Sequence, residues 1–163
     1  MPETQEIVIN TGPLIAIIAA LGDLDILKIY KRVCVPFEVC REIAVGGLGR
    51  FAALEFASSH WLEKREEPIP LSAVLTNSLD VGEASVIQLA LSENIQTVCI
   101  DESAGRRMAR LSGLRVTGSV GILLRAKREG RSFSMREALQ RMQTRGIWLS
   151  QSVKDFALQE AGE

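Results

Sequence analysis

The chain has 163 residues, enough for one ordinary domain with a three-layer core. Hydrophobic residues make up 47% and the net charge is −1, which excludes a disordered chain and leaves the overall charge silent about partners. The charge is unevenly laid out. Residues 1–105 carry 7 Lys and Arg against 15 Asp and Glu, residues 106–145 carry 11 against 2, and the last 18 carry 1 against 3. An acidic body followed by a basic stretch suits a protein that holds cations in one place and polyanions beside it. The plainer alternative is that Arg125, Lys127, Arg128, Arg136 and Arg141 only solvate helix faces.

In chain order, Ile7-Val8-Ile9 has the wholly apolar pattern of a central parallel strand buried on both faces. Asn10 to Pro13 breaks it, and Pro13 suits the first turn of a helix running to about Leu21. A short helix over Leu24–Tyr30 and a strand at Val33-Cys34-Val35 follow. Pro36 then opens a helix that buries Val39 and Ile43 and stops at Gly46-Gly47. Phe51–Ser59 reads as a helix, Trp61-Leu62 as a short edge strand and Glu63–Pro70 as a loop. Gly82–Asn94 reads as an amphipathic helix through Ala84, Ile87, Ala90 and Leu91. A second central strand at Thr97–Ile100, a helix over Glu102–Ser112 and a strand at Leu114–Val116 come next. Ser119–Glu129, Met135–Arg145 and Gln151–Ala161 complete the chain as three helices. Alternating apolar strands and helices predict a mostly parallel sheet covered on both faces. Ligands of such sheets bind beyond the carboxyl ends of the strands, where Asn10 and Asp101 stand.

Other side chains narrow the chemistry. Cys34, Cys40 and Cys99 are odd in number and lack zinc spacing, so they read as free thiols in a reducing compartment. His60 is the single histidine, which disfavours histidine-rich zinc sites, and it reads as structural. The N-terminus is acidic and lacks the basic region of a secretory signal, so a cytoplasmic location is expected. The apolar run from Ile7 to Leu21 is interrupted and shorter than the ~18 residues a membrane span needs.

Two glutamates stand out. Glu83 precedes Ile87 by four residues and Ala90 by seven, which places it on the apolar face of its helix, and Glu42 follows Val39 by three. Carboxylates on inward faces need a partner, a cap or a cation. Each has an ordinary explanation alone: Asp80 and Glu83 match a capping box, Asp101 could cap the next helix, and Glu42 could be solvated. Together with Asp101 they offer three carboxylates from three segments, an oxygen-only set suited to Mg²⁺ or Mn²⁺.

The ordered series Ile9-Asn10-Thr11-Gly12-Pro13-Leu14-Ile15, Val35-Pro36 with Val39 and Glu42, Gly82-Glu83-Ala84 with Leu89-Ala90, Ile100-Asp101-Glu102 with Gly105-Arg106, Thr117-Gly118, and Ala126-Lys127-Arg128 with Gly130 resembles the PIN-domain superfamily. The likeness is to a VapC-like branch of small prokaryotic PIN proteins and spans roughly residues 7–130. It implies a three-layer α/β/α domain with a mostly parallel sheet, a core at about 6–130 and a helical C-terminal extension at about 131–163. It further implies an acidic pocket for Mg²⁺ or Mn²⁺ and metal-assisted cleavage of single-stranded RNA. The four acid positions of the family fall on Asn10, Glu42, Glu83 and Asp101, and its hydroxyl residue on Thr11. Arg106 and Arg107 would hold the RNA backbone. Asn10 departs from the family's usual Asp, bringing a carbonyl oxygen but no charge.

The expected function is therefore a metal-dependent endoribonuclease, a toxin neutralised by a small antitoxin protein, in a homo-oligomer such as a dimer. The alternative is a catalytically inactive PIN-like module that binds RNA or protein and oligomerises. A phosphohydrolase would show a double-Asp strand motif, and a dinucleotide enzyme would show G-x-G-x-x-G after the first strand; neither is present. In the extension, Met135, Leu139 and Met142 form an apolar stripe that suits core packing or a partner surface.

Overall fold

A computed structural model describes residues 5–163. Five strands form one sheet in the order β3-β2-β1-β4-β5: β1 at Glu6–Ile9, β2 at Arg32–Val35, β3 at Glu63–Lys64, β4 at Thr97–Cys99 and β5 at Arg115–Thr117. Every neighbouring pair is parallel, with Val8 opposite both Cys34 and Val98. Ile7, Val8, Ile9, Val98 and Cys99 are wholly buried, as a strand covered on two faces requires.

The chain leaves β1 toward β2 and later leaves β4 toward β5 on the other side, so the strand order reverses between β1 and β4. Right-handed crossovers in opposite directions put their helices on opposite faces. Helices α1 (Thr11–Leu21), α7 (Ser119–Arg128), α8 (Met135–Thr144) and α9 (Gln151–Ala161) pack on one another. On the other side, α5 (Val81–Ser92) lies on β1 and β4 and touches α6 (Ser103–Leu111) and α4 (Ala73–Ser78). Helix α2 (Phe37–Val45) bridges α1 and α5, and α3 (Ala53–Ser58) adjoins it. Met135, Leu139 and Met142 are buried, and their helix packs on α1, so the stripe belongs to the core.

Helix α1 runs from Thr11 to Leu21 with Pro13 in its first turn, as expected, and Asn10 has the extended backbone of an N-cap. Several other expectations change. The edge strand is Glu63–Lys64, not Trp61-Leu62, which stand just before it. An edge strand of two residues is set by its pairing rather than by apolarity, and here Arg32 grips Glu63 with Nε and Nη2 at 2.7 and 3.1 Å. Helix α4 sits where no helix is expected, between Ser72, whose hydroxyl accepts the Leu75 amide, and Leu79. Helix α5 is not amphipathic: Gly82 to Ile87, Leu89 and Ala90 are all buried, since helices and sheet close on most of its sides. Arg125 does not solvate a helix face either; it is buried at 6% exposure, its guanidinium 4.5 Å from the Tyr30 ring centroid and its Nε 2.5 Å from Glu129.

Candidate metal centre

Helices α1, α2, α5, α6 and α7 begin at the carboxyl end of the sheet. Their N-termini present amide groups and partial positive charge there, which favours carboxylates and phosphates. The side chains at this edge form a continuous strip.

At one end, the Thr11 hydroxyl donates to Glu42 Oε2 at 3.0 Å. The other Glu42 oxygen lies over Gly82, and Asn10 Oδ1 lies 3.3 Å from where a Gly82 methyl would be. Gly82 thus leaves the space that both oxygens use. Asn10 is 8% exposed and its Oδ1 has no hydrogen-bond partner among the described residues. Glu42 is accessible, not on a buried face as its spacing from Val39 suggested. The buried face of α2 centres on Val39 and Ile43, and Glu42 flanks it at the mouth of the groove between α1 and α2.

Glu83 occupies the middle. Its amide donates to Asp80 Oδ1 at 2.8 Å, so Asp80 is the N-cap of α5. The Glu83 carboxylate is 4% exposed, and its Oε2 lies against Gly105 without a hydrogen-bond partner. One oxygen from each of Asp80, Glu83 and Glu102 falls within 4.8 Å of the others. Burial pushes the Glu83 pKa up to about 8, and the neighbouring Asp80 and Glu102 carboxylates add to the shift. At neutral pH the apo site therefore holds a proton where a cation would otherwise balance the charge.

At the far end, Asp101 Oδ1 accepts the Ser119 amide at 2.7 Å. Asp101 thus takes the first amide of α7 rather than capping its own α6, whose N-cap is Glu102. Arg106 Nη1 donates to the Ile100 carbonyl at 2.8 Å, and a methyl on Gly118 would meet both Asp101 and Arg106 within 2.9 Å. Arg107 is exposed. Solvent reaches both Asp101 and Glu42, yet the surrounding protein is close enough to raise both pKa values. The Ser119 amide and Arg106 pull Asp101 the other way, and the Thr11 hydroxyl does so for Glu42.

The arrangement fits a divalent cation. All candidate donors are oxygens, and two of them, Asn10 Oδ1 and Glu83 Oε2, are buried without a partner, a costly state that a cation would relieve. Asn10, Thr11 and Glu42 come together over Gly82, whereas Glu83 clusters with Asp80 and Glu102, and Asp101 turns to α7. Asp80, expected only as a cap, and Glu102, given no role, are the two that sequence reasoning missed. Their signal is the run of small residues beside acids: Gly82 next to Glu83, and Gly105 three residues after Glu102.

A family model described as a PIN domain matches residues 6–163. The chain belongs to the PIN-domain family. PIN domains form a nuclease superfamily that generally uses divalent metals, which accords with the acidic cluster of this PIN domain. The matched span runs through α8 and α9. No curated protein and no solved structure shows a significant match to the chain. Among the described residues, no helix is long and apolar enough to cross a membrane.

Proposed function

We propose that this PIN domain is a Mg²⁺- or Mn²⁺-dependent endoribonuclease acting on single-stranded RNA, and that it serves as the toxin of a cytoplasmic toxin–antitoxin pair. The observation that carries the nuclease reading is the buried, unpartnered Glu83 carboxylate oxygen, with two further carboxylates close to the Glu83 carboxylate. Glu83, Asp80 and Glu102 would hold the ion, with Asn10, Glu42 and Asp101 at the rim. When bound, such an ion supplies Lewis acidity toward a phosphoryl oxygen and a lowered pKa for water. The chain's own residues do the rest. Thr11 fixes the Glu42 carboxylate, and the Ile100 carbonyl anchors Arg106 beside Asp101. With one Nη1 bond made, the Arg106 guanidinium keeps further N–H groups for a phosphate oxygen. Arg107 would add charge along the RNA backbone.

Three free thiols suit a reducing cytoplasm. A groove of about 640 Å³ beside Glu42, lined by Ile15, Val45 and Val81 with Glu38 and Arg41, would suit a segment of an antitoxin. The nuclease reading is tested by cleavage of a mixed single-stranded RNA pool with Mn²⁺ or Mg²⁺, against a Glu83→Gln/Asp101→Asn variant. Metal-dependent cleavage absent from the variant supports it. Two observations favour a second reading, an inactive binding module: Asn10 brings no charge, and Thr11 and Ser119 already engage Glu42 and Asp101. That reading gains if the RNA is not cut and Mn²⁺ does not bind.

A further inference from the structure

Helix α2 turns Val39 and Ile43 into the core, which leaves Glu38, Arg41, Glu42 and Val45 as one stripe at i, i+3, i+4 and i+7. The stripe forms one wall of the groove beside the acidic strip; Thr11 and Ile15, one turn apart on α1, and Val81 at the start of α5 form the others. The apolar part of this lining is open: Val45 and Val81 are 85% and 55% exposed. The volume of about 640 Å³ falls within the ~300–1,000 Å³ of small-molecule sites. Folding alone does not account for two features of the stripe. Glu38 and Glu42 are like charges one turn apart, which disfavours the helix. Glu38 Oε2 is also shut off from solvent without a hydrogen-bond partner among the described residues. Arg41, three residues on, does not supply one; its guanidinium lies 5.7 Å from the Phe37 ring centroid. A carboxylate oxygen in that state is costly unless an N–H donor reaches it.

We infer that this groove is a nucleobase subsite, in which Glu38 accepts the N1–H and N2–H groups of a guanine and Arg41 donates to its O6 and N7. The inference rests on the proposed RNA substrate and deepens it, by naming the base that lies next to the metal centre. A carboxylate only accepts hydrogen bonds and a guanidinium only donates them. Guanine alone among the RNA bases offers two adjacent N–H donors on its Watson–Crick edge, and its O6 and N7 are the acceptor pair that arginine forks favour. Adenine, cytosine and uracil place an acceptor beside each donor, so a second carboxylate oxygen finds no proton there. The terminal torsion of a glutamate is soft, which lets Oε2 turn toward the groove. Ile15, Val45 and Val81 supply apolar contact for the faces of the ring. Glu42 stands one turn, about 6 Å, beyond Glu38 on α2 and holds the Thr11 hydroxyl. A nucleotide with its base on Glu38 therefore directs its phosphate toward the acidic strip that Glu42 begins.

The test is fluorescence anisotropy with the full chain in EDTA, using short labelled uridine RNAs that carry one central guanine, inosine, adenine or cytosine. Guanine should tighten binding at least tenfold over adenine, cytosine and all-uridine RNA. Inosine should fall between, because it keeps N1–H and lacks the N2 amino group. Glu38→Gln should remove the guanine advantage and leave the other RNAs unchanged, which a merely structural role would not do. Arg41→Gln, at an exposed position, should reduce the advantage in the same selective way and serves if the first variant folds poorly. Sites cut in Mn²⁺ should lie beside guanine in the wild type and not in Glu38→Gln. Binding needs no turnover, so a guanine preference without cleavage supports the subsite and counts against the nuclease. Cleavage without base preference supports the nuclease and overturns the subsite, leaving the groove to an antitoxin segment. Failure to bind any of the RNAs, or a guanine preference that both variants keep, also overturns it.

Discussion

Glu83→Gln should stabilise the apo protein at alkaline pH and leave it nearly unchanged at acid pH. The carboxyl has an ordinary pKa of 4.5 and is held at about 8 in the fold. Below about 4.5 it is protonated in both folded and unfolded chains, and its full favourable contribution to stability is present. As pH rises from 4.5 to 8 the unfolded chain releases the proton while the folded chain keeps it, so stability falls. Above 8 the loss is complete. At 1.36 kcal/mol per pKa unit, the full difference is up to about 5 kcal/mol. Glutamine keeps the shape and can donate an N–H to the Asp80 carboxylate, as the proton does. Urea denaturation of both proteins in EDTA at pH 5.0 and 8.5 reads the effect, since other carboxyls cancel in the difference. A variant that tracks the wild type within about 0.5 kcal/mol at both pH values would refute a strained, proton-holding Glu83. Manganese should restore stability at pH 8.5 to the wild type and not to the variant.

Gly82→Ala and Gly105→Ala put methyl groups against the Glu42 and Glu83 carboxylates. Alanine favours helix by about 1 kcal/mol, so far-UV circular dichroism should show an intact fold, while Mn²⁺ affinity by calorimetry should fall at least tenfold. Asp80→Asn should preserve the α5 cap and lose metal binding; Asp80→Ala should also cost about 1 kcal/mol in urea denaturation. Arg32 binds Glu6 at 2.6 Å and Glu63 at 2.7 Å, tying three neighbouring strands together. Because these groups are about one-third exposed, Arg32→Ala should cost only about 1 kcal/mol, and less at 1 M salt.

The sequence by itself determined the layered parallel fold. Buried parallel strands must be apolar on both faces, and Ile7-Val8-Ile9 and Thr97–Ile100 are nearly so whatever surrounds them. Asn10 and Asp101 at strand ends also placed the candidate site, because sheets of this kind bind ligands there. What the tertiary structure decided is how each polar group is satisfied. Periodicity put Glu83 inward, but it could not show Asp80 and Glu102 converging on it from the N-caps of α5 and α6. It put Glu42 inward too, although the junction of α1 and α2 leaves it accessible and held by Thr11. Asp101 could have capped the helix that follows it; the Ser119 amide, 18 residues away, takes it instead. The composition of the basic stretch left open whether Arg125 faces a polyanion or only solvates its helix; α7 faces the sheet, and Arg125 is buried against Tyr30. Strand identity is local, because two or three consecutive side chains carry it. The partner of a buried charge is not, because it depends on which distant backbone amide, hydroxyl or carboxylate the folded chain brings within 3 Å.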